Sequence, residues 1–310
     1  MIIVTGSIAY DYIMNFPGKY ADHILPDKIH TINISFILDK FERRTGGTAG
    51  NVSYSLGLLK TSHILFSYAG KDFREYADKF KKLKIDLKNV LIDKKKHTAT
   101  GFAIADKNNN QIWGYFYGAA DNIFKLKLEG VANKNDLVLI GPSGAKGSMS
   151  FVDQCIKLKI PYMFDPGFIL TQVTDNYLEK GIANAKYIIG NDYEINVIKK
   201  RVKKWKKYFK NKIIITTLGE KGAEIEENGK IYRIKSAKAK VALDPTGAGD
   251  AFRSGFLTGL EKRFDLKTCG QMGSIAAVYA VENYGCQEHV YTKEEFIKRY
   301  GQNYKTMLNL

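Results

Sequence analysis

The chain has 310 residues, 45% of them apolar and only 6 prolines, a composition that folds and can bury one large core or two modest ones. No apolar run approaches the ~20 residues that span a bilayer. The N-terminal MIIVTGSIAYD lacks the basic and apolar regions of a signal peptide, and the three distant cysteines, Cys155, Cys269 and Cys286, give neither a disulfide framework nor zinc spacing, so a cytoplasmic protein with no membrane partner is expected. The formal charge of +16 suits nucleic acid, a membrane surface or anionic small molecules and selects none of them.

The first apolar run, IIVT (2–5), reads as a strand. It leads into GSIAYD (6–11), where the strand is expected to open into a loop carrying Ser7 and Asp11. Residues 12–45 hold no helical pattern, but HTINISFILDKF alternates like exposed β-structure. A glycine cluster, RRTGGTAGNVSYSLG (43–57), starts a helix over 48–60, with no strand expected to feed it through a short βα turn. A strand at 63–70 and a helix at 73–83 follow. Residues 97–118 then read as a hairpin, HTATGFAIAD and QIWGYFYG, turned at Asn108-Asn109-Asn110. Further strands are expected at 136–141, 161–166, 187–191 and 212–219, and helices at 148–158, 192–209, 248–261, 266–283 and 293–306.

This rhythm implies an α/β three-layer sandwich whose mostly parallel central sheet is covered by helices on both faces. Ligands then belong at the carboxyl ends of the strands. Segments 12–45 and 97–118 interrupt the rhythm and would form either a small β-sheet lid or an edge extension of the main sheet. Without a repeat or a Pro/Gly-rich linker, residues 1–310 read as one domain. The stretch 196–212 carries nine basic residues among Val202, Trp205 and Phe209 at helical spacing. An ordinary lysine-faced surface helix accounts for it better than a nucleic-acid interface.

Four short stretches offer chemistry. In DPTGAGD (244–250) the run Gly247-Ala248-Gly249 at a helix start presents amides suited to an anion. Asp250 beside it is either a helix cap or a base for a hydroxyl attacking a phosphoryl group held there. In GGTAGN, Gly47 and Asn51 lie at the next helix start, and the glycines alone need only a tight turn. Asp11 of GSIAYD can accept two ribose hydroxyls or make an Asx turn. In GNDYE (190–194), Asn191 and Glu194 fit water-mediated Mg²⁺ and a capping box equally well. GPSGAKGS (141–148) has its lysine before the glycine and assembles no P-loop.

Together DPTGAGD, GGTAGN, NDYE and TTLGEKG (216–222) resemble the ribokinase/PfkB family of sugar and nucleoside kinases. The strings GSIAYDYIMNFPG, LPDKIHTINISF and DPTGAGDAFRSGFLTG look most like its bacterial adenosine kinases. The resemblance implies ATP-dependent phosphorylation of a nucleoside 5′-hydroxyl, adenosine first, with a sugar kinase such as ribokinase as the alternative. It makes Asp250 the base and Gly247, Ala248 and Gly249 the amide donors to the phosphoryl oxygens. Ser7, Asp11, Gly47 and Asn51 would hold the ribose. Phe102 and Tyr115 would stack on the base. Asn191, Thr217, Gly219 and Gly222 would line the ATP cleft, and Glu194 would organise Mg²⁺ through water. Dependence on a monovalent cation such as K⁺ is left open. The family also implies a homodimer clasped through the lid, in which Ser35 or Phe36 would reach the partner's site. One departure stands out: Phe168 and Ile169 of DPGFIL replace the amide side chains that read adenine in such enzymes, so an apolar wall replaces hydrogen-bonded readout.

Overall fold

Alternating short apolar runs and helix-length segments fold here because the central strands bury both of their faces. The computed structural model describes residues 1–25, 30–31, 33–108 and 110–310. Among these, β1 (Ile2–Thr5), β4 (His63–Gly70), β5 (Val90–Asp93), β8 (Leu137–Ile140), β9 (Tyr162–Phe164), β10 (Tyr187–Asn191), β11 (Ile213–Thr217), β12 (Ala223–Glu227) and β13 (Lys230–Ile234) make one sheet. Its order is β13-β12-β11-β10-β9-β8-β1-β4-β5. The pairs from β5 to β11 are parallel, and β12 alone reverses direction between β11 and β13.

The pleat sorts these strands' side chains into two cores. Ile3, Val138, Ile140, Phe164, Ile188 and Ile214 face one side, and Ile2, Val4, Leu139, Met163, Ile189 and Ile215 the other. The first side is covered by α3 (Ala145–Leu158), α4 (Asp175–Asn184) and α5 (Asp192–Arg201), through residues such as Phe151, Leu178 and Ile195. The second is covered by α1 (Thr48–Leu58), α2 (Arg74–Lys82) and α7 (Ala248–Glu261), through Val52, Phe80 and Phe256. Helices α8 (Leu266–Val281) and α9 (Lys293–Tyr304) pack outside α7 around a third cluster with Ile275 and Phe296. Each such aliphatic or aromatic side chain contributes about 1.5–3 kcal/mol by leaving water. The layered arrangement expected from the sequence is the one present.

The two interrupting segments make a separate four-stranded sheet: β2 (Ala9–Asn15), β3 (Lys40–Gly46), β6 (Ala99–Ala105) and β7 (Gln111–Phe116), in the order β3-β2-β6-β7. The β2/β3 and β6/β7 pairs are antiparallel and the β2/β6 pair is parallel. The 97–118 hairpin is therefore present, although Asn109 of its turn lies outside the described residues.

Several expectations need correction. The alternating run 30–41 is not a strand in its described part; only Lys40 and Phe41 enter β3, and Ile32, like Pro26 to Ile29 in the quoted LPDKIH, lies outside the described residues. Asp11 sits within β2 and not in a loop. A strand does feed the GGTAGN helix, since β3 ends at Gly46 and α1 begins at Thr48. The expected 192–209 helix is two: α5 stops at Arg201, Val202 turns extended to bury its side chain, and α6 (Trp205–Phe209) restarts. Helix α4, capped by the Thr174 side chain, was not among the expected helices. No helix among the described residues is long and apolar enough to cross a membrane.

Candidate active site

Helix α7 delivers Asp250 in its first turn, after Gly247 in the left-handed conformation (φ 80°). A Cβ at Gly247 would lie 2.9 Å from the Cys286 backbone, so glycine is needed both for the turn and for the close approach. Gly255 plays a matching part lower on α7, where a side chain would overlap the Met272 carbonyl of α8. The first turn of a helix has no intrahelical acceptors for its amides. Here the Ala248 amide donates to the Pro245 carbonyl at 3.2 Å. Gly247 and Gly249 flank it without side chains.

Asn51, 5% exposed on α1, donates from Nδ2 to Asp250 Oδ2 at 2.8 Å. Burial raises the Asp250 carboxyl to about 6. The Arg253 cation and the Asn51 hydrogen bond oppose that rise, while the charges of Asp165 and Glu194 add to it. Arg253 itself donates to Asp165 from Nε at 2.6 Å and Nη2 at 2.8 Å, both groups buried. Neither Asp165 nor Arg253 was singled out from the sequence. They lie 88 residues apart, and only the layering of the sheet under α7 brings them together.

Asp11 faces the same space from β2. Glycines flank it on both neighbouring strands: a Cβ at Gly46, two residues along β3 from its register partner Arg44, would overlap its carboxylate, and one at its partner Gly101 on β6 would lie 2.6 Å from Oδ1. The carboxylate thus occupies room that two strands leave empty. Burial first, and the Asp250 charge second, push it up to about 6. Gly47 (φ 83°) brings the start of α1 against the chain, its absent Cβ leaving room for the Ser7 carbonyl and Ala9 amide 2.6 Å away. Ser7 holds that start: its carbonyl accepts the Ala49 and Gly50 amides at 3.0 and 3.3 Å, and its Oγ accepts the Thr48 amide at 3.3 Å.

A cavity of about 210 Å³ joins Ser7, Asp11, Gly47, Asn51, Gly247 and Asp250 to an aromatic wall. Tyr115 lies parallel to Trp113 (ring centroids 5.5 Å, 7°) and to Phe168 (6.1 Å, 2°). Tyr115 and Phe168 are therefore both where the sequence expected contacts. Phe102 is not, because Gly101 occupies the inward position and the pleat turns Phe102 to the opposite face, where it stacks on Tyr12 at 5.3 Å. Ser35 is exposed and away from the cavity. Phe36 packs within its own chain on Phe16, Tyr20 and His23.

At the neighbouring strand ends Asn191 of β10 pairs in register with Thr217 of β11. Asn191 Oδ1 accepts the Glu194 amide and Glu194 Oε2 accepts the Asn191 amide, each at 2.8 Å, so the capping box is present. Burial and the nearby Asp165 raise the Glu194 carboxyl above its usual range. Beyond β11, Gly219 opens to free space, whereas Gly222 (φ 98°) is glycine because a Cβ would overlap the Ile234 carbonyl. Among the described residues no group of three or more His, Cys, Asp or Glu could hold a metal. Sequence reasoning also missed Trp113, Cys286 and Gln287; the last two follow no motif and reach the site only by packing.

A carboxylate beside a glycine-lined helix start thus faces a second carboxylate across a small cavity near the carboxyl ends of the parallel strands, where this kind of sheet seats its ligands. The chain belongs to the pfkB family of carbohydrate kinases, matched over residues 7–293, and is a phosphotransferase acting on an alcohol. It is 29% identical to a nucleoside kinase of Methanocaldococcus jannaschii over 307 residues, 96% of each chain. The nucleoside kinase of Burkholderia thailandensis, solved in complex with inosine, is 30% identical, covers 99% of both chains and superposes with a TM-score of 0.89. The same enzyme's complex with ADP-inosine gives 32% identity and a TM-score of 0.87, covering 100% of this chain and 99% of the other.

Proposed function

We propose that the protein is an ATP-dependent kinase of the 5′-hydroxyl of purine nucleosides, adenosine among them. The observation that carries this reading is the pairing of Asp11, held between two glycines for a diol, with Asp250 at the glycine-lined helix start across one cavity. Trp113, Tyr115 and Phe168 give flat apolar surface for a base. A sugar needs no such wall. Phe168 offers no hydrogen bond, so discrimination between purines is weak, and the relative solved with inosine supports a substrate range wider than adenosine.

In the reaction Asp250 accepts the proton of the 5′-hydroxyl as its oxygen attacks the γ-phosphorus of ATP, and the bond to the bridging oxygen breaks to release ADP. The Gly247 and Gly249 amides and the start of α7 face the charge on the transferred group. Asn191, Thr217 and Gly219 lie along the strand ends on the ATP side. Mg²⁺, when bound with ATP, would neutralise phosphate charge, and Glu194 would orient its waters. The small sheet serves as a lid. Its outer face exposes Phe41, Phe102 and Ile112 (65%, 45% and 50%), which supports a homodimer through it, read by light scattering.

The deciding experiment is ADP release from ATP against a panel of adenosine, inosine, pyrimidine nucleosides and ribose, with K⁺ present and omitted. Purine nucleosides should give the highest kcat/KM. Ribose outperforming every nucleoside rejects this reading in favour of a sugar kinase.

A further inference from the structure

Gln287 lies in the segment after α8, 1% exposed. Its Nε2 donates to Asn51 Oδ1 at 2.9 Å and to the Tyr76 hydroxyl at 2.6 Å. The Tyr76 hydroxyl in turn donates to the Gly46 carbonyl at 2.8 Å. A side chain at Gly50 would overlap that hydroxyl, so α1 leaves room for it. We propose that Gln287 is a positioning residue for phosphoryl transfer, fixing the Asn51 amide so that its N–H, and not its oxygen, faces Asp250; the proposal rests on Asp250 being the proton acceptor.

The polarity of the chain of bonds is forced from both ends. An ionised carboxylate only accepts, so Asn51 must turn Nδ2 toward Asp250 and Oδ1 away. The single hydrogen of Tyr76 is committed to Gly46, so that hydroxyl can only accept from its other side. Gln287 must then present its amine to both neighbours, and its Oε1 is left without a partner among the described residues. Rotating the Asn51 amide by half a turn would set its N–H groups against those of Gln287. When Asp250 becomes protonated its O–H gains no acceptor at Asn51, so the network favours the ionised form, the one able to take a proton.

Removing the Gln287 donors frees the Asn51 amide to rotate and offers the protonated carboxyl an acceptor. The other charged or titratable groups around Asp250 are Arg253 on its own helix, Asp165 after β9, Glu194 on α5, Asp11 on β2 and Cys286 beside Gly247. Of these groups Cys286 makes a side-chain hydrogen bond with Asn51, while the Asn51 oxygen accepts from Gln287.

The test uses Gln287→Met, of similar size without donors, in the wild-type and Asn51→Ala backgrounds, with Asp250→Asn alongside. Alone, Gln287→Met should lower kcat about 3–30-fold, the worth of one hydrogen bond to a charged group's partner, and move the acid limb of the kcat–pH profile upward. In the Asn51→Ala background it should change kcat by less than about twofold, because the effect passes through Asn51. Gln287→Glu, which keeps the size and cannot donate to both neighbours, serves if the Met variant does not fold. An unmoved acid limb, or equal losses in both backgrounds, overturns the proposal and leaves Gln287 as packing. If Asp250→Asn keeps full turnover, the assignment of the base fails instead, which separates the two outcomes.

Discussion

Arg253 grips Asp165 with two hydrogen bonds beneath the glycine-lined start of α7, and the same guanidinium faces Asp250. Both partners are shielded from water, so this pair is worth more as a fixed cation under the reacting groups than as a stabilising contact. Arg253→Met should destabilise the protein by about 3–5 kcal/mol, the usual cost of leaving one buried charge unpaired. Adding Asp165→Leu should recover part of that loss in urea unfolding while activity stays low. A double variant no more stable than the single one would show that the pair is not the source of the loss.

Asp250→Asn is expected to lower kcat by about 10²–10⁴ with KM little changed. It should also stabilise the fold at neutral pH. The carboxyl lies near 6 in the folded chain against about 3.9 unfolded, so ionising it costs folding free energy as pH rises through that window. The gain in Tm over wild type should therefore be absent below about pH 4 and grow to a plateau above about pH 7.

The two raised carboxyls also set the pH profile. Catalysis needs Asp250 ionised, and the free enzyme must ionise Asp11 as well to accept a diol. Activity should fall as pH drops below about 6, with log kcat/KM approaching a steeper slope than log kcat, since only the free enzyme titrates both groups. Identical slopes would remove Asp11 from substrate capture.

Gly101→Ala places a methyl 2.6 Å from Asp11 Oδ1 and must push the carboxylate out of its slot. The variant should raise KM for the nucleoside about 10–100-fold, on the scale of losing charged hydrogen bonds, with a smaller change in kcat. Initial rates over a range of nucleoside concentration read the split directly.

The parallel rings of Tyr115 and Phe168 are expected to serve the base and not the sugar. Tyr115→Ala or Phe168→Ala should each cost about 2–12-fold in kcat/KM for adenosine or inosine, as for one aromatic contact, and leave any turnover of ribose unchanged. Equal losses on both would make the rings structural.

The parallel core, the glycine turn before α7 and the place of Asn51 at a helix start are legible because each is local: an apolar run, two glycines, a polar residue in a helix start. Phe102 was misassigned for an equally local reason, since a strand's alternate residues look alike until the partner strand fixes which face is inward. Here Gly101, with no side chain to display, held the inward place. Asp165, Arg253 and Gln287 could not be read because their meaning is a distance across the fold. The capping box at Asn191 and Glu194 was foreseen as one of two readings, and it is formed without deciding the other.

The cavity gathers Ser7 and Asp11 from the first dozen residues, and Asp250 and Cys286 from the last sixty or so. Early and late segments must therefore dock before the pocket closes, and such non-local pairing slows folding.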